Sequence, residues 1–143
     1  MSSEYYRALD ITARERYRQK LTFNGEELPD PLDPPLRQHV FVTDSRRLPS
    51  VHVGDIYMYL VEGTCFYSKE EFKSFKLSDG YNSFISGKVR QLRCFSAAFG
   101  SSAVVLVAAD VEASQTVKKV HQPWTLVKKD GTVINAHCTC MAG

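Results

Sequence analysis

The stretch "WTLVKKDGTVINAHC", residues 124 to 138, constrains the fold more than any other part of the chain. Two runs of β-branched and aromatic residues are separated by Lys129-Asp130-Gly131. Asp-Gly is among the strongest hairpin signals because it tolerates positive φ. Upstream, "FISGKVRQLRCFSAA" and "SSAVVLVAADVEA" have the same β-rich character and flank a second turn at Phe99-Gly100-Ser101. An antiparallel meander of three or four strands follows. Its longest apolar run, Ala103 to Ala109, reads as a core strand and falls far short of the roughly 20 residues that cross a bilayer. No membrane partner is expected.

The first third of the chain follows a different period. Tyr5, Leu9, Ala13, Tyr17 and Leu21 recur every four residues with Arg, Glu and Lys between them, the stripe of an amphipathic helix over residues 4 to 20. Thr12 and Glu15 have capping-box spacing, which fits instead two shorter helices joined near Asp10 to Thr12. "NGEELPDPLDPPL" then carries four of the six prolines and ends the helix, because proline removes an amide donor and clashes with the preceding turn. It is a loop over the surface or a linker to the main body. Farther on, "HVFVTDS" fits a short strand. "GDIYMYLVEG" leans to helix because Ile56, Tyr59 and Leu60 share a face. Ser68 with Glu71 opens a short helix from 69 to about 76, and "DGYNSF" gives another helical turn.

A chain of 143 residues buries roughly two-thirds of its unfolded surface, so one core is enough. The expected class is α+β, with an N-terminal helix and short helices packed on a C-terminal meander. Residues 1–34 form the N-terminal helix and proline-rich loop, and residues 35–143 form the α+β module. An apolar fraction of 43% and a charged fraction of 24% are those of an ordinary globular protein. Net charge is +2, with five Lys and Arg against seven Asp and Glu over residues 1–34 and thirteen against nine over the rest. This leans toward anionic partners without a dense basic cluster. "MSSEYYRALD" lacks the basic and apolar regions of a secretion signal, so a nuclear or cytoplasmic setting is expected. Cys65, Cys94, Cys138 and Cys140 are then core thiols or metal ligands and not disulfides.

Cys138 and Cys140 lie two apart in a predicted strand, so both side chains emerge on one face while His137 and Thr139 point to the other. Two thiolates converge on one metal ion in that arrangement, and a structural zinc needs four ligands. The plainer reading is two small apolar side chains at a strand end. Catalytic sequences such as GxSxG, HExxH or a phosphate loop do not occur. Cys65 and Cys94 fit buried thiols better than nucleophiles, and His121 fits a loop histidine. Asp110 and Glu112 share a strand face and together suit magnesium, or are solvated strand-end charges. No enzymatic activity and no small-molecule substrate are expected. For nucleic acid the candidates are Lys88, Arg90, Lys118, Lys119, Lys128 and Lys129, with Trp124 available to stack on a base. The same lysines equally guard a solvated sheet edge from aggregation.

The final stretch "WTLVKKDGTVINAHCTCMAG" resembles the opening half of a SWIM zinc finger, a β-hairpin leading to Cys-x-Cys, then a spacer and Cys-x-His at a helix start. "DIYMYLVEG" and "YSKEEFKSFKLSDGYNSFISGKV" extend the likeness over roughly residues 50 to 143. There the chain looks like the region preceding the YqaJ-type viral recombinase nuclease of transposon-derived animal proteins. The resemblance implies that Cys138 and Cys140 are zinc ligands, that the second Cys-x-His pair lies outside these residues, and that the chain belongs to a larger protein. It also implies a non-catalytic module that binds nucleic acid, DNA in particular, or protein. A YqaJ nuclease would hold magnesium through a D…ExK arrangement, which does not follow Asp110 and Glu112. The alternative is an interaction domain that self-associates through the meander edge or the tyrosine-bearing N-terminal helix and never touches nucleic acid.

Overall fold

Ser3 opens the first helix by accepting a hydrogen bond from the Tyr6 amide at 3.2 Å, as short polar side chains do at helix starts. The computed structural model describes residues 3–43, 46, 48–51, 89–99, 102–112 and 119–140. Helix α1 (Glu4–Ala8) is short, and α2 (Ile11–Lys20) begins afresh two residues later. Asp10 holds the joint: its backbone is extended, and its carboxylate accepts from the Ala13 amide at 2.8 Å. A residue capping the next helix in that conformation cannot lie inside a continuous one. The stripe of Tyr5, Leu9, Ala13, Tyr17 and Leu21 is therefore carried by two helices. Arg14 ties them together, donating from Nε to the Tyr6 carbonyl at 3.2 Å and from its terminal nitrogen to the Arg7 carbonyl.

The proline-rich stretch is more ordered than a bare loop. Asn24 and Gly25 both take positive φ, 52° and 79°, and turn β1 (Thr22–Phe23) back on β2 (Glu26–Glu27). Positive φ at both central residues is what a two-residue hairpin requires. Pro34 then opens α3 (Pro34–His39) at its first position, where a missing amide costs nothing. Of the predicted strand in "HVFVTDS", the described residues show one bridge: Val42 and Cys94 exchange two backbone hydrogen bonds of 2.9 Å.

The sheet is built from β3 (Val89–Phe99), β4 (Ser102–Glu112), β5 (Val120–His121), β6 (Trp124–Lys128) and β7 (Val133–His137). All pairings are antiparallel in the order β3-β4-β6-β7, with β5 also beside β4. Val111 opposite His121 and Ala108 opposite Trp124 belong to one register. Strands β5 and β6 are thus a single strand interrupted at Gln122-Pro123, where proline has no amide to give. The result is the four-stranded meander of an α+β fold. At the β6–β7 turn, the Gly131 amide reaches the Lys128 carbonyl at 3.0 Å and Gly131 sits at φ 98°. The loop is therefore three residues, Lys129 to Gly131, with glycine in the left-handed position, and not a two-residue Asp-Gly turn.

One core joins sheet and helices. Val104, Leu106, Ala108, Trp124 and Leu126 meet Tyr17, Leu21 and Leu28 from the N-terminal layer, so residues on both sides of position 34 share it. Val105, Ala109 and Val127 point to the opposite face and are also buried. Burial on both faces explains why β4 reads as a nearly continuous apolar run and not as an alternating one. At the far end of the sheet Arg37 is buried and pairs with Asp110 at 2.5 Å, and it donates to the Pro31 carbonyl at 3.4 Å. The helices expected within residues 54–84, the Gly100 turn, Cys65, Lys88 and Lys118 lie outside the described residues. Among the described residues no helix is long and apolar enough to cross a membrane.

Candidate functional site

The Cys-x-Cys pair sits just beyond the end of β7, because the strand stops at His137 and the chain bends at Thr139 and Cys140. This corrects the expectation that both cysteines continue the strand. Two bonds hold the bend. The Cys140 amide donates to the Cys138 sulfur at 3.4 Å, and the Thr139 hydroxyl accepts from the Gln122 amide at 2.9 Å. Both cysteines are half-buried, and neither is in a disulfide. Cys94, by contrast, is 1% exposed in β3.

His137 anchors this turn to the helices. Its register opposite Trp124 puts both rings on the core face, and its ring lies 4.9 Å from that of Tyr17 and 5.6 Å from that of Tyr5. Nδ1 is 3.2 Å from the Lys20 ammonium and Nε2 is 2.8 Å from the Tyr5 hydroxyl. An ammonium only donates, so Nδ1 accepts, and Nε2 carries the hydrogen and donates to the Tyr5 oxygen. Burial first, and the Lys20 charge second, push His137 down to about 4. It is neutral at physiological pH. Burial, with a smaller effect from Arg16, also lowers the pKa of Lys20. Burial raises the Tyr5 phenol, and the charges of Cys138 and then Cys140 raise it further.

Among the described residues no group of three or more His, Cys, Asp or Glu is placed to hold a metal ion. His137 is turned to the helices, bonded to Tyr5 and Lys20. Cys138 and Cys140 therefore offer two sulfurs where tetrahedral zinc takes four ligands, so these residues do not complete a zinc site. Asp110 and Glu112 are each engaged by an arginine, Asp110 by Arg37 and Glu112 by Arg90. They act as strand-end ion pairs.

Among the described residues the basic candidates lie toward both ends of the interrupted strand. Arg90 is paired with Glu112, next to β5 and Lys119. Lys128 and Lys129 lie at the other end of the interrupted strand, nine residues on from Lys119, or about 30 Å at the usual strand rise. Lys119, Lys128 and Lys129 are exposed. Trp124 is 2% exposed, and its Nε1 donates to the Tyr17 hydroxyl at 3.2 Å. It is a core residue and cannot stack on a base. Sequence reading missed Tyr5 and Lys20 as neighbours of the cysteine turn, since they lie 132 and 117 residues from His137.

No family model, no curated protein and no solved structure matches this chain.

Proposed function

We propose that the chain is a non-catalytic α+β binding module whose partner surface is centred on the Cys138-Thr139-Cys140 turn. The observation that supports this reading is a pair of half-buried reduced thiols at the end of a braced hairpin. Two thiolates leave a tetrahedral ion two ligands short. Ligands from a partner, from a second copy or from outside the described residues complete the set, and zinc when bound supplies a structural cross-link to them. The likeness of residues 124–143 to the opening half of a SWIM finger supports the same two ligands. The wider likeness over residues 50–143 supports an origin in a transposon-derived recombinase protein. Native mass spectrometry of the reduced chain with zinc tests the reading. Zinc is expected on the wild type, including a two-chain species, and absent from a Cys138→Ser, Cys140→Ser chain. Zinc on neither removes the metal from the model.

A second reading, DNA binding, draws on exposed Lys128 and Lys129 at the hairpin turn. Two phosphate contacts give a salt slope of about −2 in a log–log plot of affinity, from roughly −0.9 per contact. Substituting both lysines by alanine should abolish that slope. A self-associating domain would instead show sedimentation that depends on protein concentration and no DNA affinity at low salt.

A further inference from the structure

We propose that Cys138 and Cys140 form a reversible intrachain disulfide by exchange with a small disulfide of the glutathione class. This concerns the sulfurs of the metal reading but needs no metal, and it stands on the geometry of the turn. In a regular strand, residues two apart are separated by about 6.6 Å, the upper end of the roughly 4.4–6.8 Å that a disulfide spans. Here the strand ends at His137 and the chain bends at Thr139 and Cys140, so the pair is not part of the regular strand. The Cys140 amide lies 3.4 Å from the Cys138 sulfur, so that sulfur already leans over its partner's backbone. Thr139 does not swing freely, because its hydroxyl is fixed by the Gln122 amide at 2.9 Å. Both cysteines are half-buried, whereas Cys94 is sealed in the sheet.

The exchange balances in two steps. One cysteine sulfur attacks the glutathione disulfide, forming a mixed disulfide and releasing one glutathione. The second cysteine then attacks the protein sulfur of that mixed disulfide and releases the other. Two electrons pass from the cysteine pair to the small disulfide, and the two thiol protons leave on the two glutathiones. Excess glutathione runs both steps backwards.

The test equilibrates the metal-free full chain in buffers of set reduced-to-oxidised glutathione ratio, followed by alkylation and trypsin. No Lys or Arg follows Lys129, so residues 130–143 are released as one peptide containing both cysteines. The ring form is lighter than the dithiol by two hydrogens. Its equilibrium constant should exceed that of a synthetic 130–143 peptide by about tenfold, the entropy of ordering one residue that the fold has already fixed. Thr139→Val should lose most of that gain while the chain stays folded. Recovery of only doubly alkylated or glutathione-capped peptide would overturn the proposal, as would a constant no larger than the free peptide's. A ring in a chain that binds no zinc sustains the proposal while the metal reading falls. Zinc binding without a ring does the reverse.

Discussion

Tyr17→Phe removes one oxygen and disturbs two buried partner groups. Tyr17 is 1% exposed, its hydroxyl donates to Asp30 Oδ1 at 2.7 Å, and it accepts from Trp124 Nε1 at 3.2 Å. Asp30 is 3% exposed; Oδ1 also takes the Leu32 amide at 2.9 Å, and Oδ2 has no partner among the described residues. Without the phenol the indole N–H is stranded, which costs about 1–3 kcal/mol, and the carboxylate loses a hydrogen bond worth about 1.5–3 kcal/mol. Because the two share one oxygen, the sum is not additive, and about 3–4 kcal/mol is expected. That is a large part of the roughly 5–15 kcal/mol that holds a domain together, and it lowers Tm by roughly 10 °C. Urea unfolding followed by tryptophan fluorescence is the direct assay, since Trp124 is the sole tryptophan. Loss of less than about 0.5 kcal/mol, the scatter of a neutral surface substitution, would refute the view that this network fastens helix α2 to the sheet.

The pH dependence of stability follows from His137. Between its ordinary value of 6.5 and about 4, the unfolded chain binds a proton that the folded chain refuses, so stability is full above 6.5 and falls as pH drops toward 4. The charged and titratable groups around it are Lys20, Tyr5 and Tyr17, and neither phenol titrates there. About 2 kcal/mol should be lost across the window after allowance for partial exposure, and thermal melts of His137→Phe should lack that slope. Asp110→Ala strands the buried Arg37 guanidinium and should cost about 3–5 kcal/mol in chemical denaturation. Gly25→Ala meets no atom within 4 Å but must adopt φ 79°, so a loss of about 1–2 kcal/mol is expected from backbone strain alone.

The sheet was legible because β-branched runs and Asp130-Gly131 act locally, and local chemistry is what a sequence displays. The helical stripe was legible as a face, but whether it ran through Asp10 depended on one carboxylate reaching Ala13. How the cations are spread over the sheet was not legible, for a geometric reason. Lysines that look alike in sequence lie at opposite ends of β5–β6, and Arg90 is paired with Glu112 across the ladder. In sequence Trp124 is available to stack on a base, yet its register opposite Ala108 carries it under Tyr17. The cysteine pair was visible as a pair. Its bracing was not, since the Tyr5 and Lys20 contacts to His137 arise only when the helical layer docks on the end of β7, and the Gln122 contact to Thr139 comes from the break between β5 and β6.

The measurement to make first is a cobalt(II) titration of the reduced chain, because thiolate-to-cobalt charge-transfer absorption reports sulfur ligation directly. A band with the intensity of two thiolates per ion, weakened by either Cys138→Ser or Cys140→Ser, is the expected result. It would establish the turn as a metal half-site awaiting its partner's ligands. No band, or a band indifferent to both substitutions, would contradict the metal-linked binding module and leave the two cysteines as a thiol pair at the end of a strand.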